Sequence, residues 1–100
     1  MKTRIQTLQP DPAKKGARID RARYDQMAAT ILACLKASGE ATFNELRALV
    51  EDVLAGNFEE SLGWYYTSLK LDLEARGALQ RIPGSRPQHL RLVPGWEEEP

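Results

Sequence analysis

The chain has 100 residues, 14 basic and 14 acidic side chains, and a formal net charge of zero. That length suits one domain around a single core, and the balanced charge argues against strong non-specific binding to nucleic acid. No apolar run approaches the ~20 residues that span a bilayer, and the start of the chain lacks the apolar stretch of a secretory signal, so the expectation is a cytoplasmic protein that does not enter a membrane.

Residues 1–18 read as a basic arm. Pro10 and Pro12 flank Asp11; each fixes φ and offers no N–H, so neither a helix nor a central strand is expected there. Ile5 and Leu8 are apolar enough to pin the arm to the domain or to a neighbouring chain. Lys14, Lys15, Arg18, Arg21 and Arg23 follow closely on one another. Such a stretch either tracks a DNA backbone, releasing counterions, or extends a dimer interface.

Three helices are expected near residues 20–37, 42–55 and 60–76. Asp20 is a good N-cap for the first, and Tyr24, Met27, Ala28, Ile31, Leu32 and Leu35 recur at spacings of three and four, which makes one apolar stripe. Ser38-Gly39 ends it. The lone cysteine, Cys34, falls in this apolar pattern and is expected to be a small core residue. Thr42 and Glu45 form a capping box for the second helix, with Phe43, Leu46, Leu49, Val50 and Val53 as its buried face. Gly56-Asn57 breaks the chain. In the third helix Leu62, Tyr65 or Tyr66, Leu69 and Leu73 mark the core side, and Gly77 stops it. If Tyr65 points inward, the 100° spacing leaves Gly63, Tyr66 or Thr67, Lys70 and Glu74 outside, flanked by Trp64.

After Gly77, Leu79 and Ile82 alternate with Gln80 and Arg81, and Leu90 and Leu92 alternate with His89, Arg91 and Val93. Period-two alternation on both sides of Pro83-Gly84-Ser85-Arg86-Pro87 predicts a two-stranded hairpin over 79–93. It must lie against the helices, because two strands alone are marginal in water. Residues 94–100 are an acidic tail with Glu97, Glu98 and Glu99. Helices followed by a hairpin in this order give the fold class: mostly α with a small β-hairpin, the layout of a winged helix-turn-helix domain over residues 19–93.

Charge is uneven along the chain. Residues 1–36 hold eight basic and three acidic side chains, residues 37–60 one and six, and residues 61–93 five and two. Folding either gathers the basic segments onto one face or pairs them with the acidic ones. The third helix offers Thr67, Ser68 and Lys70 as groups that read base edges or phosphates, and Arg86 sits at the tip of the wing, where it would meet a phosphate. Trp64, Tyr65 and Tyr66 are unusual on a base-reading surface; aromatic clusters belong more often to cores and protein interfaces. No Cys/His cluster has metal-ligand spacing, no Gly-rich loop precedes a helix, and no nucleophile stands beside a base. The expectation is therefore binding without catalysis, cofactor or metal.

The stretch Leu69-Lys70-Leu71-Asp72-Leu73-Glu74-Ala75-Arg76-Gly77-Ala78-Leu79-Gln80-Arg81 resembles the end of the recognition helix and the first wing strand of winged-helix transcriptional regulators. The resemblance covers about residues 20–93 and implies a DNA-binding protein, with Thr67 and Lys70 on the groove-facing side and Arg86 on the wing. The aromatic triplet departs from that pattern, where small polar residues are usual. The whole chain also resembles a small bacterial family of unknown function, on the stretch Thr7 to Gly16 (Thr-Leu-x-Pro-Asp-Pro-x-Lys-Lys-Gly), on Gly63-Trp64-Tyr65 and on Lys70 to Gly77. That second resemblance implies a free-standing domain and no particular activity. Two readings follow. In one, the chain binds double-stranded DNA, as a homodimer, through Lys14, Lys15, Arg18, Trp64, Tyr66, Thr67, Lys70 and Arg86. In the other, a winged helix binds a protein through an aromatic patch on its third helix, with Trp64 and Tyr66 as anchors.

Overall fold

The computed structural model describes residues 4–11, 13, 14, 16–56, 58 and 61–95. Lys15, Glu59, Glu60 and the glutamates at positions 97–99 lie outside the described residues. In chain order the elements are β1 (Arg4–Gln6), β2 (Arg18–Asp20), α1 (Arg21–Ser38), β3 (Glu40–Thr42), α2 (Phe43–Leu54), α3 (Leu62–Ala75), β4 (Leu79–Arg81) and β5 (His89–Leu92). The described residues thus hold three helices and two small antiparallel sheets.

Local signals set the helix ends. The Asp20 carboxylate accepts a hydrogen bond from the Arg23 N–H at 3.2 Å, which starts α1. At α2 the box closes in both directions: Glu45 N–H donates to Thr42 Oγ1 at 3.1 Å, and Thr42 N–H donates to Glu45 Oε1 at 2.8 Å. At the end of α3, Gly77 takes φ +83°. Its N–H donates to the Glu74 carbonyl at 3.1 Å and the Ala78 N–H to the Leu73 carbonyl at 2.9 Å. That pair of bonds satisfies two terminal carbonyls and needs the left-handed backbone that glycine tolerates.

The core is drawn from all three helices and both sheets. Met27, Ile31, Leu35, Leu46, Val50, Tyr66, Leu69, Leu79 and Leu90 are fully or almost fully buried. Each large aliphatic side chain so buried contributes about 1.5–3 kcal/mol over leaving it in water. Tyr66, and not Tyr65, takes the core position of α3. Its hydroxyl donates to the Phe43 carbonyl at 2.7 Å and its ring packs against that of Phe43 at 4.9 Å between centroids. This corrects the outward placement of Tyr66. Leu69 and Leu73 face inward as expected, and Lys70, expected outside, comes inward beside Tyr66.

Three further expectations need correction. The hairpin expected as a wing is part of a three-stranded sheet in the order β3-β5-β4, because Glu40–Thr42, between two helices, pairs antiparallel with β5. Three residues are too few for alternation to reveal a strand. On α2, Leu49 and Val53 are 38% and 58% exposed instead of buried. Leu46, Val50 and Leu54 already fill the inner stripe that faces the rest of the domain, and Leu49 and Val53 fall outside it. Cys34, expected inside, is half-buried beside them.

The arm is also more structured than its prolines imply. β1 pairs antiparallel with β2, with Ile5 opposite Ile19, and the pairing continues through Thr7 N–H to the Ala17 carbonyl at 2.8 Å and Ala17 N–H to Thr7 Oγ1 at 2.7 Å. Pro10 lies in the loop of this hairpin, where no ladder bond is lost, and Pro12 lies outside the described residues. The return crosses so closely that a Cβ on Gly16 would stand 1.9 Å from the Thr7 carbonyl oxygen, which excludes any other residue there.

Asp72 fixes this hairpin to the helices. It is fully buried on α3. The Leu8 N–H donates to its Oδ1 at 2.8 Å, the Tyr24 hydroxyl donates to its Oδ2, and Arg76 Nε lies 3.0 and 2.9 Å from the two oxygens. Arg76 Nη2 donates onward to the Gln6 carbonyl at 3.3 Å. Burial, then the hydrogen bond to Asp72 and its charge, push the Tyr24 hydroxyl up to about 12, against the opposing charge of Arg76. Burial raises Tyr66 as well. Both rings are held as neutral phenols by the fold. Their contribution is complete below the ordinary tyrosine value of about 10 and is lost as pH rises through the folded values. Urea midpoints should therefore fall as pH is raised from about 10 to about 12. In Tyr24→Phe that alkaline fall should be smaller but still present, because Tyr66 remains.

Candidate functional site

The outer face of α3 is the first surface to consider. Trp64, Thr67 and Ala75 are exposed and Ser68 and Leu71 half-buried along one side of the helix, at the spacing of three and four that aligns side chains. This strip carries no charge. Trp64 is 47% exposed and is held in place from behind. Its ring meets Tyr65 edge-on at 5.0 Å, and Tyr65 meets Phe58 edge-on at 5.1 Å. Arg23 of α1 stands 5.3 Å from the Phe58 ring centroid. The three rings form a ladder from the buried Phe58 to the exposed Trp64, so the indole is presented on a support and loses little freedom when something docks on it. Gly63, behind them, admits the Arg47 side chain: a Cβ there would be 2.8 Å from Arg47 Nη2.

Lys70 is not on that face. It is 7% exposed, and its Nζ lies 2.6 Å from Glu74 Oε1. Arg81 of β4 holds the other Glu74 oxygen, Nε to Oε2 at 2.6 Å. Arg76 is paired with Asp72. Three of the five basic side chains between residues 61 and 93 are thus neutralised by the two acids of the same segment. Arg21–Asp25 and Arg47–Glu51 add exposed pairs at i, i+4. Pairing is therefore mostly local, and a continuous positive face running through Lys70 is absent among the described residues.

The basic candidates that remain outside are separate from α3. Arg86 is exposed in the turn between β4 and β5. That turn is held by Ser85, whose hydroxyl donates to the Ile82 carbonyl at 2.7 Å and accepts from the His89 N–H at 2.9 Å. Lys14 and Arg18 are exposed on the arm hairpin. Sequence reasoning found Trp64, Thr67, Arg86, Lys14 and Arg18 as exposed groups, and misplaced Tyr66 and Lys70. It also missed Leu71, which looks like core in a periodicity scan and lies at the edge of the outer strip. Among the described residues no group of His, Cys, Asp and Glu is placed to hold a metal, and no helix is long and apolar enough to cross a membrane.

The Lys70–Glu74–Arg81 cluster is a structural charge set. Burial works to raise the Glu74 carboxyl, but hydrogen bonds from Arg81 and Lys70 and their charges outweigh it, so Glu74 titrates below the usual carboxylate range. A depressed carboxylate stabilises the fold above its unfolded value, about 4.3, and that stabilisation is lost as pH falls through the folded value. Glu74→Gln should therefore flatten the acid limb of a stability-against-pH profile. Lys70→Ala should cost about 1–3 kcal/mol in urea denaturation, as expected for a lost hydrogen bond to a charged, half-buried group. A cost below about 0.5 kcal/mol would mean that Lys70 behaves as an ordinary surface cation.

No curated protein and no solved structure matches the chain. One family model does, over residues 4–90, which takes in the arm hairpin, all three helices and most of the three-stranded sheet. The chain belongs to that family, DUF6958, a family of unknown function.

Proposed function

We propose that this chain is a non-catalytic binding module of the winged-helix type, and that its partner is a protein received on the outer face of α3 around Trp64. The winged-helix reading is supported by the element order, helix, strand, helix, helix and hairpin, with β3 joining the hairpin as the third strand. The protein reading rests on one observation. The outer strip of α3 is neutral and aromatic, because Tyr66 and Lys70 face inward and Lys70 is neutralised by Glu74. A helix that enters a DNA groove gains most of its affinity from phosphate neutralisation, and this face offers no cation. An exposed indole backed by two further rings is instead the kind of anchor that dominates protein interfaces.

DNA binding is the competing reading. Arg86 on its braced turn and the exposed Lys14 and Arg18 favour it. A photo-crosslinking amino acid in place of Trp64 separates the two in living cells. The expected outcome is an adduct with one defined protein, of stoichiometric size, which the same group at Gln88 does not give. A second copy of the chain counts as such a protein. In parallel, Trp64→Ala should keep the wild-type urea midpoint and lose at least ~10-fold in affinity for the captured partner, as a central aromatic anchor does. The reading fails if crosslinking gives no protein adduct while duplex DNA binds with a steep salt dependence that Arg86→Ala reduces.

A further inference from the structure

A second surface lies away from α3, between the end of α1 and the outer side of α2. Leu49 and Val53 are large apolar residues at i and i+4, 38% and 58% exposed. With Cys34 and Ala37 of α1 they wall a shallow groove of about 320 Å³. A second hollow of about 400 Å³ shares Leu49 and Ser38 with it and extends it toward β3. The floor and walls are almost wholly apolar. The charged residues that line the two hollows are Glu40, Glu45 and Asp52, and among the described residues neither hollow is lined by a lysine or arginine. This is the acidic segment of the chain, where residues 37–60 hold six acidic side chains and one basic.

Apolar walls between two helices, at a spacing of one turn, match the ridge of a third helix. Sign of charge decides which helix. Two copies of this chain related by a two-fold axis through the groove would set Asp52 and Glu45 against their own equivalents, and like charges face to face oppose docking. The chain's own end, with Glu97, Glu98 and Glu99, carries the same sign, and so do nucleic-acid phosphates. We infer that the α1–α2 groove is a docking site for a basic amphipathic helix of another protein, with its apolar stripe between Leu49 and Val53 and its lysines or arginines on Glu40, Glu45 and Asp52. The site is independent of Trp64 and stands or falls apart from the reading of α3.

The test uses the full chain and two fluorescent peptides about four helical turns long, one of leucine and lysine and one of leucine and glutamate in the same amphipathic pattern. Anisotropy should show the lysine peptide bound at least ~10-fold tighter than the glutamate peptide. Val53→Lys and Asp52→Lys should each weaken it about 10-fold or more, while Gln88→Lys, on the wing, should not. Denaturation midpoints for the Val53 and Asp52 variants should match wild type, since both positions are exposed. Bound peptide should also slow the reaction of Cys34 with a thiol reagent, because Cys34 lines the groove. Equal binding of both peptides, indifference to Val53→Lys, or unchanged Cys34 reactivity would each overturn the proposal. So would sedimentation showing a dimer that Val53→Lys dissociates, which would make a second copy the occupant.

Discussion

Asp72 is a carboxylate without solvent contact, and three groups from three parts of the chain reach it. A buried acid held by a single partner would be costly, since desolvation of the charge exceeds what one bond returns. Here the arm supplies a backbone N–H, α1 supplies a phenol and α3 supplies its own arginine one turn on. The arrangement is over-determined, and it decides where the other pieces sit. With Asp72 inward, Leu69 and Leu73 must pack on the core and Tyr66 must follow them. Thr67, Leu71 and Trp64 are then left outside. The rotation of α3, and hence the chemistry of its outer face, depends on where this one carboxylate is anchored.

Residues near that anchor explain what the sequence disclosed and what it withheld. The caps were readable because each is a contiguous pattern: Asp20, Thr42 with Glu45, and Gly77 act on backbone groups within four residues. The core stripe of α1 was readable because its apolar residues are numerous and face one way. The phase of α3 was readable only in part: Leu69 and Leu73 were placed inward, but the choice between Tyr65 and Tyr66 and the burial of Lys70 were not legible. Its run Leu62, Tyr65, Tyr66, Leu69, Leu71, Leu73 is apolar on nearly all sides, so periodicity leaves two rotations open, and the polar residue that chooses between them is paired with partners as distant as Leu8 and Tyr24. A buried Asp looks like a surface Asp when its partners are far away in sequence.

The same limit applies to charge. A count of basic side chains suggested a positive surface through Lys70, but Glu74 holds Lys70 and Arg81 together and removes both from any such face. What emerges is a division of labour by sign. The outer strip of α3 is neutral, the arm and the β4–β5 turn are basic, and the α1–α2 groove is acidic around an apolar floor. Three surfaces of different character on a chain with no net charge underlie the proposed recognition of a protein surface, and they differ from the single basic face that non-specific attraction to a polyanion draws on.

The Leu8–Asp72 hydrogen bond joins residues separated by 64 positions. During synthesis the arm leaves the ribosome before the helices, and its anchoring carboxylate emerges only when α3 does. Until then the β1–β2 hairpin has only α1 to rest on, and closing so long a loop carries an entropic cost that local helix formation does not. The arm, made before the helices, is therefore among the last pieces of the domain to be secured. Completion of α3 is the event that commits the two ends of the domain to each other.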